Sequence, residues 1–168
     1  GIDLGVDMIN DIYALRHPGA IDIVVNSDVV LCLMHMKGTP QNMQKNPTYG
    51  NITTELISFF AEQIFKLHQL HLKDVVIDVG FGFGKTLEHN YEILNNLEEF
   101  KCLKYPILVG VSRKSMIYKL LDTDANQALN GTSVINTIAL TKGTDILRVH
   151  DIKEAVECIK IVNFAQNK

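Results

Sequence analysis

Three features of the sequence predict an α/β fold built on a parallel sheet. Short β-branched apolar runs alternate with longer segments of helical period, each run ends in a polar cluster, and no linker, repeat or low-complexity tract interrupts the alternation. The 168 residues give room for one domain, and 46% hydrophobic with 21% charged residues is the balance of a globular chain with a sizeable core. The formal net charge of −3 argues against general binding to nucleic acid or an anionic membrane, which needs a basic excess, so any anion site must be local.

Taken in order, strands are expected near residues 6–9, 29–34, 74–78, 106–111 and 145–149. The segment "TTELISFFAEQIFKLHQL" sets Leu56, Phe60, Ile64 and Leu67 on one helical face, and "DIKEAVECIKIV" does the same with Ile152, Val156, Ile159 and Val162. Those two faces should cover the sheet, with Thr53 and Asp151 placed as N-caps. Further helices are expected around 18–26, 89–102, 115–121 and 126–142. Cys32, Cys102 and Cys158 are odd in number and free of any CxxC spacing, which implies neither a disulfide framework nor a zinc site and fits a reducing cytoplasm. No apolar run approaches the roughly 20 residues of a membrane span, and the acidic start does not resemble a signal peptide.

The uncommon residues fall at the strand ends: "INDI" at 9–12, "MHMKG" at 34–38, "DVGFGFGK" at 78–85, "SRKS" at 112–115 and "RVHD" at 148–151. In parallel α/β architectures the carboxyl ends of the strands share one rim, where ligands bind, so all five clusters should meet there. The glycine-rich loop matches neither phosphate fingerprint. A P-loop needs glycine six positions before its lysine, where this chain has Val79, and the dinucleotide pattern lacks its third glycine.

Each cluster carries a plain reading beside a functional one. Asn10 and Asp11 suit a turn as well as a binding rim. Asp78 follows "VVI" at the inner end of a strand, where an unpaired carboxylate is costly to desolvate, and this favours function. Phe81 and Phe83 read equally as core or as an aromatic wall, and the Arg113–Lys114 pair equally as a solvated loop or a cationic corner. Arg148 and His150 alternate with Val149, so on an extended strand they point the same way and suit an anion between them. His35 reads as a structural histidine, His68 and His71 as helix surface, and Lys85 as a solvated or salt-bridging residue. Together the rim suits a flat heterocycle carrying a phosphate or diphosphate tail.

The segments "MINDI", "CLMHMKGTP", "DVGFGFGKTLEHNYEIL", "LVGVSRKSMI" and "ILRVHDIKE" resemble, in order, consecutive motifs of the dihydropteroate synthase family. The resemblance covers nearly the whole chain and implies the carboxyl-terminal part of a (β/α)8 TIM barrel, strands 4 to 8 with their helices, as one pterin-binding domain. It implies a cytoplasmic transferase of folate biosynthesis, the family being a sulfonamide target, that joins 4-aminobenzoate to dihydropterin methyl diphosphate and releases diphosphate with help from Mg2+. Carried over by motif, Asn10 and Asp78 hydrogen-bond the pterin edge, Lys114 reaches the ring's carbonyl and N5 side, and Met34 packs on the ring. Arg148 lies against the pterin face and, with Val149 and His150, holds the diphosphate, while Ser112, Phe83 and Gly82 border the aminobenzoate pocket. Lys114, Arg148 and His150 are the implied catalytic residues.

Two departures accompany the resemblance. Val79 stands where the family usually has proline, which removes a rigid turn behind Asp78. The opening "GIDLGVDMIND" corresponds to the family's fourth strand, whereas a complete barrel takes about 250 residues. The expectation is therefore a fragment, incomplete at its amino terminus and inactive alone, whose metal ligand lies in the absent units and which forms a homodimer when complete. The alternatives are a non-catalytic pterin-binding module, a pterin-binding methyltransferase, against which the "SRKS" and "RVHD" pair speaks, and a half-barrel that assembles only with itself or a partner.

Overall fold

The computed structural model describes residues 2–43, 45–72 and 74–166. Five parallel strands form one sheet in the order β1 (Met8–Asp11), β2 (Val30–Met34), β3 (Val75–Asp78), β4 (Ile107–Val109) and β5 (Ile146–Leu147). The helices are α1 (Ala20–Val25), α2 (Ile52–Gln69), α3 (Leu87–Asn95), α4 (Ser115–Tyr118), α5 (Leu129–Thr141) and α6 (Ile152–Ala165). Among the described residues no helix is long and apolar enough to cross a membrane.

The two-residue period of the strands sorts the core into two sets. Leu31, Leu33, Val75, Ile77, Ile107 and Val109 join the main cluster beneath the helices, where Leu56, Phe60, Ile64 and Leu67 of α2 meet them. Alternate positions Cys32, Val76 and Leu108 pack with Val30 and Ile146 on the opposite face. That second face carries Asn10, Met34, Asp78, Gly110 and Arg148 at the carboxyl ends of successive strands, because each lies an even number of residues from an inward neighbour or its register partner.

Several expected boundaries move, for identifiable reasons. Strand β1 lies two residues later than expected because its pairing begins where Asp7 accepts from the Val30 amide and aligns Met8 with Val30. The strand expected over 145–149 narrows to Ile146–Leu147, although ladder bonds continue from the Asp145 amide to Ile107 and from the Arg148 amide to Val109. Asn51, not Thr53, caps α2: its side chain accepts from the Thr54 amide at 2.9 Å, while Thr53 is buried. The helix expected at 89–102 starts at Leu87 behind a Thr86–His89 capping box, and passes into a 3-10 turn over Leu97–Leu103. Asp151 stands at the head of α6, but its carboxylate pairs with Arg113 rather than capping the helix.

The buried face of α6 is Ala155, Cys158 and Val162; of the apolar stripe read from the sequence only Val162 is buried, while Ile152 is 70% and Val156 41% exposed. The helix is apolar on more than one side, so periodicity selects a stripe without saying which one meets the sheet. Leu56→Ala should therefore destabilise the fold by about 2–5 kcal/mol through cavity formation, while Ile152→Ala should stay within about 0.5 kcal/mol. Chemical denaturation of the two variants checks this; comparable losses would place Ile152 against the core.

Candidate active site

The site grows from Asp78, the last residue of β3, which is 1% exposed. Its Oδ1 accepts from the Gly80 amide at 2.8 Å. Its Oδ2 lies 3.0 Å from a terminal nitrogen of the Arg148 guanidinium, a contact distance for an ion pair, but out of line for a hydrogen bond, so that oxygen has no aligned donor. A buried carboxylate oxygen in this state is half-satisfied and presents an acceptor to anything that replaces the guanidinium.

Arg148 reaches Asp78 by lying over Gly110, where any Cβ would stand 2.7 Å from the guanidinium. The glycine is what lets an arginine cross the strand end at that height. Arg148, Val149 and His150 share a cavity of about 130 Å³ with Gly110, Ser112 and Lys114. The buried Ser112 hydroxyl accepts from the His150 amide at 3.2 Å and meets the imidazole Nδ1 at 3.0 Å, tying the end of β5 to the end of β4. The predicted convergence of Arg148 and His150 is present, although the strand that was to hold them stops at Leu147.

The adjacent cations of "SRKS" separate. Arg113, at φ 54°, turns outward and forms a two-point pair with Asp151 at 2.9 and 2.8 Å, which holds the Asp151 carboxyl below and the Arg113 guanidinium above their ordinary ranges. Lys114 turns inward and donates to the Phe81 carbonyl at 2.6 Å. Burial pushes the Lys114 ammonium down to about 8; the Asp78 charge opposes that fall and Arg148 adds to it.

The glycine-rich loop divides its two aromatics. Phe81 is fully buried in the core, whereas Phe83 is half-buried, with the Lys114 ammonium 4.9 Å from its ring centre. The Gly82 amide donates to Asn90 at 2.7 Å. Met34 is buried beneath Gly80. Asn10 is exposed on the same face of the sheet but stands opposite Cys32, two residues below Met34, and does not line the cavity. Asp11 takes the turn role instead, accepting from the Tyr13 amide at 3.0 Å and the Leu15 amide at 2.5 Å.

Lys85 corrects the reading of a solvated or salt-bridging side chain: it is 3% exposed and bonded to His35 and to loop carbonyls, with no ion pair among the described residues. His35 is structural, as read, with its ring edge-on to Phe59 at 4.9 Å. His68 is exposed beside the Tyr105 hydroxyl, and His71 lies beyond the end of α2 with φ 63°. Gly110 and Asn90 escaped the sequence reading. The signal for Gly110 was a glycine interrupting "PILVGV" one turn of pleat below the cationic cluster; Asn90 left none, being one polar residue in an ordinary helix.

Residues 1–150 match the family described as pterin binding enzyme. Over 161 residues the chain is 42% identical to dihydropteroate synthase of Escherichia coli (strain K12), covering 95% of this chain and 57% of that protein. It is 40% identical to the enzyme of Haemophilus influenzae over 161 residues, 58% of that protein. The chain thus spans somewhat over half the length of these relatives. Among solved structures it superposes on Yersinia pestis dihydropteroate synthase in a sulfonamide drug complex with a TM-score of 0.96 at 39% identity, covering 99% of this chain and 61% of that one. The Xanthomonas albilineans dihydropteroate synthase in complex with 7,8-dihydropteroate gives a TM-score of 0.90 at 33% identity, covering 98% and 63%. With that family match over residues 1–150 and relatives above 30% identical along nearly all of its length, the chain belongs to the pterin-binding enzyme family.

Proposed function

We propose that this chain forms the pterin- and diphosphate-binding part of a dihydropteroate synthase, corresponding to the last five βα units of a (β/α)8 barrel. The observation that carries the reading is the buried Asp78 carboxylate with an unaligned Oδ2, set beside the cationic and polar side chains of Ser112, Lys114, Arg148 and His150 at the rim. A pterin edge offers N–H donors to that oxygen, while Lys114 donates toward the ring carbonyl and N5. Met34 and Phe83 supply apolar surface around a flat ring, and Asn10 completes the edge from β1. Ring entry at Asp78 requires the Arg148 guanidinium to leave Oδ2, after which it lies against the pterin face and, with the His150 side chain and the Val149–His150 backbone, holds the diphosphate. The reaction is a dissociative substitution: the methylene C–O bond breaks, diphosphate departs with the electron pair, the pterin delocalises the cation, and the amine of 4-aminobenzoate attacks the carbon and loses a proton. Donors preorganised at the leaving group stabilise the charge that develops there.

Among the described residues no group of three or more His, Cys, Asp or Glu side chains stands together as a metal site, and in this reading the protein ligand of the Mg2+ that the resemblance implies lies elsewhere in the barrel. The amino-terminal units of the barrel would supply that ligand, and catalysis would require them. We also assign to the complete enzyme sulfonamide binding at the aminobenzoate pocket of Ser112, Phe83 and Gly82, a cytoplasmic location, and a homodimeric state. Exposed apolar side chains on α5 and α6, including Val134 at 50% and Phe164 at 89%, support the last of these.

Asp78→Asn should lose more than about 1.5 kcal/mol of pterin binding, because an amide presents a donor where the ring needs an acceptor. Calorimetric titration giving a wild-type affinity would remove Asp78 from the site. Arg148→Ala and His150→Ala should weaken a pterin methyl diphosphate far more than a pterin without the tail, and equal losses for both would make these residues structural or purely stacking.

The lowered Lys114 gives opposite trends for stability and binding. Since the folded group titrates near 8 and the ordinary lysine near 10.5, the unfolded chain holds the extra proton between those values and stability rises with pH across that window. Pterin affinity should fall across the same window as the ammonium donor is lost. Thermal melts and pterin titrations at stepped pH test both trends, and Lys114→Met should flatten its share of each; parallel trends would contradict the assignment.

A further inference from the structure

Lys85 closes the glycine-rich loop from behind, and the mechanism above makes no use of it. Its ammonium donates to the carbonyls of Gly80 at 2.9 Å and Phe83 at 3.1 Å, and faces the His35 ring Nδ1 at 3.1 Å and the His35 carbonyl at 3.4 Å. Among the described residues no carboxylate forms an ion pair with it. A lysine is almost never fully buried unless paired, and an apolar side chain would fill the same space without desolvating a charge. The acceptors explain the residue: loop carbonyls turned away from water need a donor, and an ammonium offers three.

The consequence reaches Asp78 through one residue. Gly80, at φ 70°, gives its amide to Asp78 Oδ1 and its carbonyl to Lys85, so it is held at both ends. It has no room to shift, since a Cβ there would overlap the His35 carbonyl oxygen. On the front of the loop Lys114 holds the Phe81 carbonyl, and at its exit the Tyr49 hydroxyl holds that of Gly84 at 2.8 Å.

We propose that Lys85 is a positioning residue for the pterin-binding carboxylate: its caged ammonium fixes the 79–84 loop against the end of β2 so that the Gly80 amide holds Asp78 in its binding orientation. This rests on the reading of Asp78 as the pterin acceptor. In contact with it is His35, whose pKa burial and the Lys85 charge push down to about 2 so that Nδ1 stays an acceptor, and the charges that act on Lys85 itself are Asp78 and Lys114. Arg16 and Lys37 act on His35 in the same direction as Lys85. Burial brings Lys85 itself down to about 7, against the pull of Asp78.

The test is 15N NMR on the 168-residue chain without ligand, followed by pterin titration. In Lys85→Met the Gly80 amide should exchange faster by at least about tenfold, the scale of one lost hydrogen bond to a charged group, while the Leu31 and Ile77 amides keep their protection. Unchanged exchange at Gly80, or equal acceleration throughout the sheet, overturns the proposal. Pterin affinity should fall by about the same factor in Lys85→Met as Gly80 loosens. If Asp78→Asn abolishes binding and Lys85→Met binds as wild type, the positioning role is wrong and the pterin reading stands. If Asp78→Asn binds as wild type, the pterin reading is wrong, and the amide exchange still decides whether Lys85 holds the loop. Should Lys85→Met not fold, the wild-type spectrum decides: the Gly80 amide shift should follow the titration of the Lys85 ammonium near pH 7, and a Gly80 signal indifferent to it overturns the proposal.

Discussion

The burial of one carboxylate at the end of a central strand organises this rim. Asp78 sits between Met34 and Leu108 in the register of the sheet, with almost no exposed surface, and so cannot be solvated by water. It must be satisfied by donors, and each surrounding feature is a way of supplying one or of holding one in place. Gly80 donates from the following loop, Arg148 crosses from β5 over a glycine, and Lys114 and Lys85 hold the loop from its two sides. An acidic chain overall thereby concentrates three cationic side chains around one anionic group.

Period 2 made it legible that Arg148 and His150 point the same way, because parity along an extended segment is fixed once one position is known, whereas the shared face of Met34 and Asp78 follows from the register of the sheet. The α2 face was legible from the helical period: Leu56, Phe60, Ile64 and Leu67 are buried, together with Ile52 and Thr53 of the first turn, although Phe65 is exposed on another side. Helix α6 was not, since Ile152, Val156, Ile161 and Phe164 make its outer side apolar as well. Neighbour relations in three dimensions were also beyond the sequence. Arg113 and Lys114 are adjacent and chemically alike, yet a left-handed backbone at Arg113 sends one to Asp151 and the other into the site. Lys85 followed three glycines in what looked like a solvent loop; only the packing of that loop on His35 shows that its acceptors face inward.

The positions of the glycines convert a fold into a site. At Gly110 the missing Cβ lets a guanidinium lie flat across a strand end, and at Gly80 it lets two loops pack backbone to backbone. In both places a larger residue would push apart elements whose side chains must converge. The anion corner therefore depends on backbone proximity as much as on the charges themselves, and the polar groups found there, Ser112 and His150, serve to hold β4 and β5 together as well as to face the cavity.

The pairing of Arg148 with Asp78 has a further energetic meaning. The guanidinium offsets the buried carboxylate at 3.0 Å while its own side chain is 42% exposed, so the pair is held at one end only. A ring that brought donors to Oδ2 would replace an unaligned ion pair by aligned hydrogen bonds, and the displaced guanidinium would remain at the same rim to meet the ligand's anionic tail. The exchange keeps charge balanced throughout, because the donor that leaves the carboxylate is the donor that the tail requires. A neutral ligand without that tail would gain the first interaction while leaving the arginine with nothing but water in return, and under the proposed function this asymmetry would let one residue link recognition of the ring to recognition of the leaving group.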